Sequence, residues 1–212
     1  MYLTQIEINP KRRGTRHLLA SPQRMHAAVL ACFPADERAA TAGGRVLWRV
    51  DQRDDRTLLY LASPHSPDPT VLVEQAGWEG KTTWRTLPYQ PLLERLAAGE
   101  TWAFRLAANP VRNKALKPGE RSKRLGHVTV AHQQDWFVRQ AERHGFSFEE
   151  LALVVRDRKT WTFNREGSMV TLATAVFEGR LTVTDPEALR AALTHGIGPA
   201  KGYGCGLLTL AR

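Results

Sequence analysis

The stretch GIGPAKGYGCGLLTL, residues 196–210, holds five glycines in its first eleven positions and runs straight into an apolar segment. Glycine loses the most freedom on ordering, so such a loop implies a close approach that side chains would obstruct. A dinucleotide-binding G-x-G-x-x-G follows a strand and opens a helix, and a phosphate-binding P-loop ends in G-K-[ST]. Here the glycines follow a helical pattern and precede a strand, and Lys201 is followed by Gly202. Both nucleotide readings fail on order and on letters. Backbone N–H groups that meet a phosphate chain remain, with Gly198, Gly202 and Gly204 as the open positions and Lys201 adding charge. The alternative is a tight structural connection between helix and strand.

Basic residues form three groups. KRRGTRHLL carries Lys11, Arg12, Arg13 and Arg16. NPVRNKALKPGERSKRLGH carries Arg112, Lys114, Lys117, Arg121, Lys123 and Arg124 against the single acid Glu120. RDRKTWTFNR holds Arg156, Arg158, Lys159 and Arg165 around Trp161 and Phe163. Cations interleaved with aromatics suit phosphate contact and base stacking. The whole chain has 30 Lys and Arg against 21 acids, a net charge of +9, which directs attention to nucleic acid as partner. No paired-Cys, H-E-x-x-H or clustered-Asp signature is present, so no metal site and no cofactor is expected. His127 and His132 lie in a stretch that alternates like a strand, where residues five apart face opposite sides. His17, His65, His144 and His195 fall in loops or at helix ends. Cys32 and Cys205 match no metal spacing and read as buried free thiols. No membrane-spanning run or signal peptide is apparent, so a cytoplasmic protein is expected.

The elements that must carry these groups come in a repeated order. YLTQIEI alternates as a strand, and Ser21-Pro22 opens a helix whose stripe is Met25, Ala28, Val29 and Cys32. RVLWRVD and TLLYLAS read as strands, SPHSPDPT (63–70) as a surface loop, PLLERLAAG as a helix and TWAFRLAAN as a strand. That order is strand–helix–strand–strand–helix–strand. The second half repeats it. RLGHVTVAH reads as a strand, QQDWFVRQAERHG as a helix, and LALVVRDR and MVTLATAVFEGRLTV as strands. Asp185-Pro186 then opens a helix closed by Gly196, and GLLTLAR is the last strand. The expected fold is α+β, two tandem ferredoxin-like (RRM-like, βαββαβ) domains. They span 1–110 and 125–212, the latter with the glycine loop, and a basic linker covers 111–124.

The opening MYLTQ, the histidine before CFP in the first helix, FRLAANPVRNK, DWFVRQAERHGF and GIGPAKGYGCGLL together resemble one family along the whole chain. It is the CRISPR RNA-processing endoribonuclease of the subtype I-E Cascade complex, the CasE family. The resemblance implies metal-independent cleavage of precursor crRNA at the repeat stem-loop, by attack of a 2′-OH on the scissile phosphate. It also implies that the product hairpin stays bound, and that the other Cascade subunits are partners. His26 is the catalytic residue it implies, and helix geometry sets His26 on the shoulder of the Met25–Cys32 stripe, able to reach a groove. An imidazole changes charge near neutral pH, and RNA brings its own nucleophile, so proton transfer and charge neutralisation are what the protein must add. Many relatives have tyrosine three residues before that histidine; this chain has Gln23, one helical turn away on the same face. Gln23 and Lys159 are the candidates for catalytic support, with Arg158 and Lys201 as further cations. In the family a basic hairpin of the second domain enters the stem's groove, and Arg156, Arg158, Lys159 and Arg165 match it by position. Lys114, Arg121, Lys123 and Arg124 would grip backbone. The alternative functions are a non-catalytic subunit that binds an RNA hairpin and a general ferredoxin-like RNA-binding module.

Overall fold

The computed structural model describes residues 1–53, 56–80, 82–114, 123–149, 152–165 and 167–212. The first sheet is built from β1 (Tyr2–Ile8), β2 (Leu47–Arg53), β3 (Arg56–Ser63) and β4 (Trp84–Pro88), in the order β2-β3-β1-β4, all antiparallel. Alternation explains β1: Thr4, Ile6 and Ile8 point into the core while Gln5 faces out. Helices α1 (Arg13–Leu19), α2 (Pro22–Leu30) and α3 (Thr70–Ala76) belong to this half. Met25 and Val29 of α2 and Leu72 of α3 join Ile6, Ile8, Leu59 and Leu61 in one core. Pro22 sits at the start of α2, where its missing N–H costs nothing.

Two elements here depart from the sequence reading. α3 begins inside the stretch expected to be loop, where the Asp68 carboxylate accepts from the Thr70 amide and hydroxyl. β4 is short and mostly exposed, so it lacks the apolar alternation that marks a strand. β4 completes the first sheet. The strand expected to do so, β5 (Thr101–Ala108), instead pairs on one side with β10 (Ser168–Val183) and on the other with β11 (Leu208–Ala211). The expected division at residue 110 is therefore corrected: the first sheet ends at Pro88 and the second starts at Thr101. α4 (Gln90–Arg95) lies between them, ending before the Gly99 stop that its sequence suggests.

The second sheet runs β11-β5-β10-β8, with β8 being Phe146–Ser147, and β9 (Val154–Arg165) also pairs with β10. With α5 (Val130–Arg143) and α6 (Pro186–His195) this is the second ferredoxin-like unit, so the tandem fold expected from sequence is the fold observed. Its core stacks rings: Phe137 lies 4.8 Å from Phe177 and 5.4 Å from Phe104, centroid to centroid. The N-cap of α6 is as expected, the Asp185 carboxylate accepting from the Glu187 and Ala188 amides. The strand expected over 124–132 is corrected. β7 (Lys123–Gly126) ends early, and Thr129 caps α5 by accepting from the His132 amide. β7 pairs with β6 (Val111–Lys114), so the two ends of the expected linker form a ladder.

Charged residues join the two sheets. Arg49, 2% exposed on β2, makes two hydrogen bonds to the Asp51 carboxylate and donates to the carbonyls of Arg105 and Leu207. Arg105 of β5 donates to Asp51 and to Glu178 of β10.

Candidate active site

His26 projects from α2 at intermediate exposure, as its place beside the apolar stripe requires. The indole N–H of Trp48, on β2, donates to His26 Nδ1 at 3.2 Å. A neutral imidazole carries one proton, so this bond leaves it on Nε2. Nε2 faces the glycine loop: a Cβ added to Gly202 would lie 3.2 Å from it. Gly204 has φ +77, and a Cβ there would come within 2.7 Å of the Trp48 ring. The loop's need for glycine is thus internal. It lets backbone close over the histidine and over the tryptophan that holds it. Gly198, at φ +76, packs in the same way on Trp136.

The Lys201 ammonium donates to the Gly198 carbonyl at 2.6 Å, within its own loop. Burial, helped by the nearby Arg45 charge, pulls its pKa below the ordinary 10.5. Gln23 is exposed, one turn before His26.

The third basic group lies on β9, which with β10 forms the longest hairpin of the fold. Lys159 pairs with Thr174 and Arg156 with Val176, so Asp157 and Arg158 together oppose Ala175. Asp157, at φ 48, is the strained residue of this bulge. The extra residue turns Arg156 and Lys159 to one face, although three apart they would otherwise face opposite ways. The Lys159 ammonium stands 3.5 Å above the Trp161 ring. Two residues on, Phe163 meets Tyr203 of the glycine loop at 5.0 Å, edge to face. Arg156 pairs with Glu178, and the exposed Arg158 donates to the Val128 carbonyl. Arg165, Lys114, Lys123 and Arg124 lie on β9, β6 and β7 by their backbone. Arg121 and Lys117 lie outside the described residues. A cavity of about 510 Å³ opens between α2, β2, the β9–β10 hairpin and the glycine loop.

His127 and His132 are corrected as well. The early start of α5 brings their rings to 5.5 Å, not to opposite sides of a strand. Burial, then the charges of His132, Arg112 and Arg139, lower the His127 pKa. Among the described residues no three His, Cys, Asp or Glu form a group able to hold a metal ion. Cys32 and Cys205 are free and buried, and burial pushes their thiols up to about 11 and about 12. No helix of the described residues is long and apolar enough to cross a membrane. Trp48 and Tyr203 escaped the sequence reading, since an aromatic on a strand or beside a glycine carries no chemical signal of its own.

The fold is thus two ferredoxin-like units with a histidine beneath a glycine loop and a basic hairpin beside it. Comparison with known proteins gives the family. The CRISPR-associated protein family matches residues 1–212. The CRISPR-associated endoribonuclease Cse3 of Thermus thermophilus is 31% identical over all of both chains. The CRISPR system Cascade subunit CasE of Escherichia coli is 32% identical over 73% of this chain and 80% of its own. The solved structure of Cse3 bound to a 19-nt RNA superimposes with a TM-score of 0.82 at 30% identity, covering all of both chains. The chain belongs to the CasE family of CRISPR-associated proteins.

Proposed function

We propose that this protein is a metal-independent endoribonuclease that binds the stem-loop of CRISPR repeat RNA, cleaves precursor crRNA beside it and stays on the product within Cascade. The observation that carries the reading is the enclosure of His26: Trp48 on Nδ1, and the Gly202 backbone beside Nε2. The relatives add weight, one named as a CRISPR-associated endoribonuclease and one as a Cascade subunit.

The nucleophile is the ribose 2′-OH next to the scissile phosphate. Its oxygen bonds to phosphorus as the bond to the 5′-oxygen breaks, giving a 2′,3′-cyclic phosphate and a 5′-hydroxyl. The proton's net path is from the 2′-oxygen to the 5′-oxygen. His26 serves this path at Nε2: its N–H donates a hydrogen bond to the departing 5′-oxygen and offsets the charge building there, while water takes the 2′-hydroxyl proton and supplies the one the 5′-oxygen needs, so the ring stays neutral throughout. Lys159 and Arg158 supply positive charge as the phosphorane forms. Gln23 offers a hydrogen-bonding amide in the place where relatives have a phenol, so it orients without titrating.

Repeat RNA incubated in EDTA tests this. Wild type is expected to cleave, and His26→Ala to lose about 10²–10⁴-fold in rate while hairpin affinity stays within twofold. Cleavage that persists in the variant, or that needs an added divalent ion, overturns the mechanism. Binding without cleavage by wild type would instead support a structural subunit.

A further inference from the structure

The cavity beside His26 has a use that hairpin binding leaves open. At about 510 Å³ it falls among ordinary small-molecule sites, ~300–1,000 Å³, and is far too small to admit a duplex. What can enter is one residue taken out of the stack. Its walls fit that occupant. Trp48 and Gly204 separate it from His26, which ties its position to that of the reacting phosphate. Trp161 offers an aromatic face, and the cavity's rim carries Lys159 and Arg158. Gln52, exposed at the edge, presents both a donor and an acceptor, the equipment for reading the edge of a base. The two arginines of the lining at this side, Arg49 and Arg105, are both already paired with the Asp51 carboxylate behind them.

We infer that this cavity receives a single unpaired nucleotide of the RNA adjoining the scissile phosphate, its base stacked on Trp161 and its phosphate held by Lys159. The inference rests on the endoribonuclease reading and adds the part of the substrate that is not hairpin. The arrangement of Lys159 supports it. The ammonium sits over the Trp161 ring, a contact of two exposed or half-exposed groups that is easily exchanged. An arriving phosphate takes the ammonium, and the uncovered indole takes the base. The bulge at Asp157 makes this exchange available, because without it Lys159 and Trp161 would turn to the other face.

The test uses the full-length protein and a repeat hairpin with its single-stranded flanks, made uncleavable by a 2′-deoxy residue at the scissile position. Each flanking nucleotide in turn is replaced by an abasic residue. In wild type one position is expected to raise Kd about tenfold, in line with the ~1–3 kcal/mol of base–aromatic stacking. Trp161→Leu should raise Kd for intact RNA by a similar factor and make the abasic replacement cost nothing further. Thr174→Trp fills the cavity from a half-exposed position on the wall and should behave likewise, which covers the case in which Trp161→Leu perturbs the hairpin. If every abasic position is neutral, or the penalty is equal in wild type and both variants, the subsite does not exist. Wild-type cleavage of unmodified RNA is measured alongside. Normal cleavage with neutral abasic positions removes the subsite alone, whereas absent cleavage removes the function on which it rests.

Discussion

In the proposed mechanism a single hydrogen bond sets how His26 meets the RNA. The Trp48 N–H at Nδ1 selects one neutral tautomer and fixes the ring plane, and the loop backbone limits ring motion on the Nε2 side. Removing the donor frees both the tautomer and the ring. Trp48→Phe keeps an aromatic of similar shape against Gly204 and is expected to cut the single-turnover rate roughly 10- to 100-fold, because small misplacements of a reacting group are that costly. Hairpin Kd should not change. A tryptophan that merely fills space would give a variant that is less stable but, at a temperature where it is folded, as fast as wild type.

At the scale of elements, the proposed function gives binding to the β9–β10 hairpin and chemistry to α2 and the glycine loop. Arg158 is exposed and makes one neutral hydrogen bond, to the Val128 carbonyl, so its charge is available to a phosphate. Arg158→Ala is expected to weaken hairpin binding and to flatten the dependence of log Kd on log salt by about one unit, the signature of one lost phosphate contact. An unchanged slope in a salt titration would show that Arg158 does not touch the RNA. This cluster was legible in the sequence because its residue types are themselves the signal. His26 was legible through the family's first-helix pattern, supported by helical spacing. Pairing partners were not. The alternation of Trp102, Phe104, Leu106 and Ala108 identifies a strand but fits either sheet, and only the ladders to β10 and β11 assign it. β4 was invisible because a mostly exposed edge strand has no apolar rhythm, and Trp48 because its hydrogen bond spans 22 residues of sequence.

For the whole molecule, the two units hold the candidate site between them, so under the proposed mechanism their relative position is a catalytic variable. His26 and Trp48 come from the first unit, and the glycine loop and the basic hairpin from the second. Arg49 is the bolt. It is buried, it pairs with Asp51 on its own strand, and it donates to the carbonyls of Arg105 and Leu207 and the hydroxyl of Thr209 across the junction. Burying a guanidinium is costly, and each of these bonds offsets part of that cost. A well-packed apolar pair would hold the units with as much free energy but without direction, whereas the planar fork fixes an angle. Arg49→Met leaves the Asp51 carboxylate with Arg105 as its remaining cationic partner and strips donors from two carbonyls. The variant is expected to lose about 3–5 kcal/mol in urea unfolding. Arg49→Met combined with Asp51→Leu should recover part of that stability, because the half-paired buried carboxylate is gone. Cleavage should not recover with it. If the double variant regains both stability and rate, the network serves only to keep the protein folded, and the alignment of His26 with the hairpin must come from the glycine loop alone.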